Sequence, residues 1–408
     1  MPAPTVEVTI RFSGGPSFGN PMILGDPLGK LGDAVLGTSA NLPVDFSNKT
    51  RKAVIRRGRT RVLDKFESGS CSLEIVDTDG SLDPTGGTYD IKPLHQVRVS
   101  ATYGGTERFL FSGYIVSWTY NFKKGASAAW LNLECMDGFR LLNLAKFTSV
   151  TGGTAGQSTG TRLEKVLDAV SWPSTQRDID TGDTTVQADA GDERTALDAA
   201  QLLAETELGG VYMTGEGDVK FVSRSEAIKA LDGTATVFDD DGTDIAYEGI
   251  ALQIDERLLR NKISVTRSGG SAQTVSDATS ITNYFERNMT RTGLLMQTDA
   301  DALGQANAIL AARKDPDLRV QQLTIDATEP NASRIAAALD LDFYSPITVN
   351  RSYPNGNRTT KTLTVQGIQH TITPATFKTT FTTTEPLVAG FILGSSANGI
   401  LGTSVLAY

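Results

Sequence analysis

Arg51-Lys52-Ala53-Val54-Ile55-Arg56-Arg57-Gly58-Arg59-Thr60-Arg61 leads, a few residues on, into Ser70-Cys71-Ser72-Leu73-Glu74-Ile75-Val76 and then Asp77-Thr78-Asp79-Gly80-Ser81-Leu82-Asp83-Pro84. The middle run alternates. Cys71, Leu73 and Ile75 point one way and Ser72, Glu74 and Val76 the other, which is the period of a half-buried strand. The last run is turn chemistry, Asp-Gly followed by Asp-Pro. The first places five arginines and a lysine within eleven residues. No aromatic residue interleaves with these cations, so they read as a solvated or interface face and not as a platform for stacking nucleic-acid bases. The segment is architectural, with no catalytic group.

The same alternation recurs outward from this point. Val6-Glu7-Val8-Thr9-Ile10-Arg11-Phe12 is a strand closed by Ser13-Gly14-Gly15-Pro16. Residues 94–143 read as a β-meander, with Val97, Val99 and Ala101 alternating up to the turn Tyr103-Gly104-Gly105-Thr106. A Gly/Ser/Thr linker is expected at residues 148–160. Helical spacing follows at 162–170 and again from Ala196 to a stop at Gly209-Gly210, and a hairpin spans 211–222. Strands return after Asp244, interrupted by a helix capped at Thr298 and a shorter one capped at Asn331. The expected fold is mainly β with an α+β insertion. It divides into an N-terminal strand and arm (1–45), a first β domain (46–150), a small α+β domain (151–235), a second β domain with helical insertions (236–385) and a C-terminal arm (386–408).

Composition narrows the function classes. The chain has 408 residues, 39% hydrophobic and 21% charged, an ordinary globular balance with length for several cores. Its net charge of −9 argues against a protein that grips nucleic acid by its phosphates, and suits a surface past which nucleic acid slides. Cys71 and Cys135 are the two cysteines, which rules out a disulfide framework. Both sit in alternating runs and read as reduced core residues. No apolar run approaches the ~20 residues of a membrane span. Met1-Pro2-Ala3-Pro4-Thr5-Val6-Glu7 shows no secretory pattern, so synthesis in a cytoplasm is expected.

Two Leu-Gly strips stand apart. Leu24-Gly25, Leu28-Gly29, Leu31-Gly32 and Leu36-Gly37 punctuate residues 22–40, and Leu393-Gly394 and Leu401-Gly402 punctuate residues 391–406. Val35-Leu36-Gly37-Thr38-Ser39-Ala40 nearly repeats Ile400-Leu401-Gly402-Thr403-Ser404-Val405. Such glycine-rich strips cannot carry a core alone. Regularly spaced leucines point to docking arms that fill pockets on a neighbour.

The motifs that suggest chemistry are incomplete. Gly15-Pro16-Ser17-Phe18-Gly19 fits a nucleophile elbow by pattern, but Pro21 follows where a helix should begin. Gly25-Asp26-Pro27-Leu28-Gly29-Lys30 is a residue short of a phosphate loop and lacks its Ser/Thr. Asp77-Thr78-Asp79-Gly80 and Asp239-Asp240-Asp241-Gly242-Thr243-Asp244 lack the twelve-residue calcium loop and read as Asp-Gly turns, with a surface metal at the second as the minor option. No spacing among the 47 acids selects a glycosidase pair. His95 and His370 read as turn or edge residues. No cofactor, catalytic residue or resident metal is expected.

Four segments, in order, carry a resemblance. They are Arg57-Gly58-Arg59 with Leu63-Asp64-Lys65-Phe66-Glu67-Ser68-Gly69-Ser70 and Asp79-Gly80-Ser81-Leu82-Asp83-Pro84; Ile91-Lys92-Pro93-Leu94-His95-Gln96-Val97-Arg98-Val99 running to Phe111-Ser112-Gly113-Tyr114-Ile115; Arg260-Asn261-Lys262-Ile263-Ser264-Val265-Thr266-Arg267; and Val365-Gln366-Gly367-Ile368-Gln369-His370-Thr371-Ile372-Thr373-Pro374. Together they resemble the hub, or minor tail, proteins at the tail tip of siphophages. The resemblance implies two tube-like β-barrel domains per subunit and a homotrimeric, pseudo-sixfold ring. It implies a place in the virion between the tube or distal tail ring and the tip and receptor-binding proteins, with the tape-measure protein ending inside and phage DNA passing through in transit. It implies no catalysis and no stable membrane insertion. A hexameric distal tail ring protein is the neighbouring reading; the second β region argues against it, since that family has one tube-like barrel. A tail-tip glycan-cleaving enzyme and a host-surface adhesin are the alternatives from other classes.

Overall fold

The computed structural model describes residues 3–14, 43–61 and 63–385. Both Leu-Gly strips, including Leu24, Gly25, Leu31, Gly32, Leu36, Gly37, Leu393, Gly394, Leu401 and Gly402, lie outside the described residues, as do the elbow-like and phosphate-loop-like motifs.

Six strands form a first unit: β1 (Thr5–Gly14), β2 (Thr50–Gly58), β3 (Glu67–Asp77), β4 (His95–Tyr103), β5 (Thr106–Asn121) and β6 (Ala129–Met136). Their spatial order is β2-β3-β6-β5-β4-β1, antiparallel throughout. The alternation seen in the sequence becomes an inside and an outside. Cys71, Leu73 and Ile75 face inward with Val97, Val99, Leu131, Leu133 and Cys135, all essentially inaccessible. Burying each such aliphatic side chain is favourable by roughly 1.5–3 kcal/mol. Cys71 lies directly opposite Cys135 and both are free thiols, as a reduced core requires.

An α+β region follows. Helix α1 (Phe139–Leu144), α2 (Thr159–Ala169) and α3 (Ala196–Glu207) pack beside the hairpin β7 (Gly210–Met213) and β8 (Val219–Val222), and α4 (Arg224–Lys229) closes the region. The stretch read as a linker is held in place. Val150 is buried and its amide donates to Asp189 Oδ2 at 2.9 Å, and the Gly156 amide donates to the Val186 carbonyl at 3.0 Å. Helix α3 ends one residue earlier than the glycine pair suggests, with Leu208 itself left-handed at φ 58°.

A second six-stranded unit follows: β9 (Thr236–Asp239), β10 (Gly249–Gln253), then, after an insertion, β14 (Arg319–Asp326), β15 (Pro346–Ser352), β16 (Arg358–Thr373) and β17 (Thr376–Thr384). The insertion carries β11 (Lys262–Arg267), β12 (Gln273–Ser276), α5 (Ala278–Tyr284), β13 (Asn288–Leu294) and α6 (Asp299–Arg313) around a separate core of Ile263, Val265, Leu294, Met296, Ala302, Ala306 and Ile309. Helix α7 (Ala332–Asp340) fills the connection from β14 to β15 and buries Ile335, Ala337 and Ala338.

The spatial order of the second unit is β10-β14-β17-β16-β15-β9, which repeats the first strand for strand. The correspondence reaches single residues. β5 slips register against β6 between Ile115 and Ser117, and β16 slips against β17 between Val365 and Gly367. Matched on those bulges, the Leu73–Leu133 pair of the first unit falls on the Leu323–Phe381 pair of the second. The Val97–Gly113 pair likewise falls on Ile347–Leu363. One pairing differs: β1 runs antiparallel to β4, whereas β9 runs parallel to β15.

Candidate assembly surface

The arginine-rich strand β2 is where the two units meet. On one side it pairs with β3 and on the other with β16, from Gly58–Gly367 to Ala53–Ile372, so one fourteen-stranded sheet runs through both units. Strand alternation sorts its cations. Arg51 and Arg56 are exposed, while Arg57 and Arg59 turn toward the second unit. Arg57 Nη2 donates to Asp342 Oδ1 at 3.0 Å and its guanidinium lies 5.1 Å from the Phe343 ring centroid. Arg59 is buried; Nε donates to Gln366 Oε1 at 2.8 Å, Nη2 to Tyr344 Oη at 3.1 Å, and the group lies 4.3 Å above Phe66. The interface face read from the sequence is therefore an intramolecular junction. A buried guanidinium with three acceptors and an aromatic floor is well satisfied without a carboxylate.

Behind it Phe66, Tyr212 and Phe343 cluster with centroids 4.8–5.2 Å apart, joining the first unit, the α+β region and the second unit. Tyr344, left-handed at φ 66°, closes the cluster. Two glycines make the approach possible. A Cβ at Gly58, where φ is +107°, would meet the Gln366 carbonyl oxygen at 2.3 Å, and one at Gly210 would meet Tyr344 Oη at 2.2 Å. Nothing near Asp342, Phe343 and Tyr344 in the sequence announces this role, because their partners lie hundreds of residues away.

The titratable candidates are structural. His95 Nδ1 accepts the Lys92 amide at 3.2 Å, a turn contact. His370 is not an edge residue: it lies between Ile55 on β2 and Thr379 on β17, buried, with Nδ1 3.0 Å from Thr379 Oγ1. Burial, reinforced by the charge of Arg57, depresses its pKa to about 3. Asp137 accepts from Ser68 Oγ at 2.8 Å, the Gly69 amide at 2.6 Å and the Phe139 amide at 3.0 Å. Burial outweighs these donors and raises its pKa to about 6. Burial likewise pushes the Cys71 and Cys135 thiols up, so neither is a reactive thiolate.

Both Asp-Gly runs are consumed by turns. Asp239 accepts the Gly242 and Asp244 amides, Asp240 accepts the Ser352 amide, and Asp241 pairs with Arg358. Asp77 accepts the Leu82 amide and Tyr120 Oη, each at 3.0 Å, and Asp79 pairs with Lys49 at 2.7 Å. Among the described residues no three His, Cys, Asp or Glu side chains gather as metal ligands, and no helix is long and apolar enough to cross a membrane.

What remains is exposed strand edge. Among the described residues β10 pairs with β14 alone, and the second half of β5, residues 117–121, pairs with β6 alone. Apolar side chains crowd both edges: Ile254 is 67% exposed and Leu252 is exposed beside β10, and Phe122 is 65% exposed with Trp130 beside β5. The surface the chain offers is one for joining sheets.

No family model matches the chain, and no curated protein matches it. Among solved structures it is similar to the tail protein from Neisseria meningitidis MC58, at 11% identity and TM-score 0.59, over 94% of this chain and 96% of that one. It is also similar to the 43 kDa tail protein of prophage MuSo2 from Shewanella oneidensis, at 14% identity and TM-score 0.55, over 93% of this chain and 98% of that one. A prophage tail protein from Listeria monocytogenes EGD-e aligns at 12% identity and TM-score 0.44, over 81% of this chain and 94% of that one. The chain thus has, over nearly its whole length, the fold of the Neisseria and Shewanella tail proteins.

Proposed function

We propose that this chain is a structural protein of a bacteriophage tail, forming the hub ring at the tail tip of a long-tailed phage. Three copies, each contributing two six-stranded units, close a pseudo-sixfold ring. The ring joins the tail tube or distal tail ring to the tip and receptor-binding proteins, receives the end of the tape-measure protein and serves as the conduit through which DNA leaves. The observation that carries this reading is the duplicated unit: the same strand order twice in one chain, already joined edge to edge through β2 and β16. Two equivalent units per chain are what a ring of threefold chain symmetry needs to meet a sixfold tube. The acidic net charge of −9 accords with a bore that does not retain DNA. The Leu-Gly strips belong to the same proposal as arms that dock on neighbouring tail components. Mass measurement with negative-stain electron microscopy of the purified full chain tests it. A trimer-sized ring with a central hole is expected; a solitary globule at every concentration overturns the reading.

A further inference from the structure

We propose that the outer edge of β10 pairs, antiparallel, with residues 117–121 of β5 in a second copy of this chain, and that this strand pairing is what closes the ring. The inference rests on the hub reading and adds to it the strands, the direction and the register of the contact between copies.

The argument is the internal duplication. Within one chain the first strand of the first unit's order, β2, lays its outer edge on the second half of β16. In the correspondence set by the matched bulges, β10 is the counterpart of β2 and β5 is the counterpart of β16. The first half of β16 pairs with β15; its second half pairs with β17 on one side and β2 on the other. The first half of β5 pairs with β4 and its second half with β6, while the side corresponding to the β2 contact has no strand partner among the described residues. The counterpart strand β10 has the matching vacancy on its outer edge. Each chain therefore holds one completed junction and the two unlike halves of a second, which cannot be joined within the chain that carries both ends of the array. Unlike halves joined head to tail build a ring when the rotation closes.

Register follows from the same superposition. Ala53 corresponds to Ile250 and Val54 to Ala251, because they oppose the matched residues Leu73 and Leu323, and Ser72 and Gln322. Thr371 and Ile372 correspond to Asn121 and Phe122. The internal pairs Thr371–Val54 and Ile372–Ala53 thus become Asn121–Ala251 and Phe122–Ile250 between copies. Composition agrees. Gly249-Ile250-Ala251-Leu252-Gln253-Ile254 and Ser117-Trp118-Thr119-Tyr120-Asn121-Phe122 contain no charge and no proline, the devices by which solitary edges usually avoid pairing.

The test is a cross-link. Asn121 and Ala251 are both exposed, and directly opposed residues of an antiparallel pair come within disulfide reach. Buried Cys71 and Cys135 leave the background low. The full-length double variant Asn121→Cys/Ala251→Cys, oxidised and run without reductant, should form covalent dimers and trimers that neither single variant forms. Leu252→Glu, which puts a charge on the β10 edge, should shift the species in solution from trimer to monomer with an unchanged far-UV circular dichroism spectrum. A wild-type trimer with no cross-link above the single-variant level overturns the strand pairing and leaves the hub reading standing. A trimer that a folded Leu252→Glu leaves intact does the same. A wild-type chain that stays monomeric overturns both.

Discussion

Arg59 and His370 show how single residues secure the junction between the units. Arg59 reaches across to Gln366 and Tyr344, and His370 sits unprotonated in the paired sheet beneath Arg57. The histidine gives a signed pH dependence. Its pKa is about 3 in the folded chain against an ordinary value near 6.5, so the unfolded chain takes up the proton first. Its contribution to stability is complete above about pH 6.5 and is lost as pH falls toward 3. Asp137 acts with the opposite sign. With its pKa raised to about 6, its contribution is present below about pH 4 and is lost as pH rises through 6. Between pH 4 and 6 the two oppose each other. Replacing the histidine in His370→Gln should therefore improve stability relative to wild type on acidification from pH 7 to 4.5, by on the order of 1–2 kcal/mol in urea denaturation. A difference between the two proteins that does not change with pH would show that His370 is not held neutral.

At the scale of elements, helix α6 is the most self-sufficient piece. Thr298 Oγ1 accepts the Asp301 amide at 3.1 Å and Asp301 Oδ2 accepts the Thr298 amide at 3.3 Å, a reciprocal cap, with two aspartates at the positive end of the helix dipole and Arg313 at the negative end. The helix packs Ala302, Ala306 and Ile309 on β11 and β13, away from the main core. Thr298→Ala should cost about 1 kcal/mol. Hydrogen exchange should show the loss concentrated in residues 262–313, with the amides of β3 and β6 unaffected. Uniform loosening of all strands would mean that the insertion and the large sheet unfold as one unit. Helix α3 teaches the converse: its end is set by Leu208 in a left-handed turn, and the glycine after it is required by tertiary contact, since Tyr344 Oη fills the space a Gly210 side chain would need.

At the scale of the molecule, the chain is two copies of one strand order fused through β2 and β16, with an α+β region between them and a helical insertion in the second. A large sheet that ends in uncharged, apolar edges is an incomplete object in water. That incompleteness is the physical content of the proposed ring. The terminal arms add a separate expectation. Deleting residues 391–408 should leave the melting transition of the purified chain in place but reduce the yield of infectious tails at least tenfold; full infectivity without them would remove docking from their role.

Much of this was legible before any coordinates. The inward side of β3, the hairpin β7–β8, the cap at Thr298 and the reading of both Asp-Gly runs as turns depend on neighbours a few residues apart, where alternation and turn chemistry act directly. The mainly-β class follows from the same local periods. The linker at 148–160 and the edge position of His370 were misread because each is decided by a distant strand. The interface cations were recognised as a group, but alternation could not say what they face: Arg59 finds Gln366 across a separation of 307 residues. The duplication escaped notice for a related reason. Strand order is a property of who lies beside whom, and two stretches can share it while sharing little beyond a leucine opposite a leucine or a phenylalanine. Local periods settle which residues turn inward; pairing partners, and the edges left without one, exist only once the chain has closed on itself.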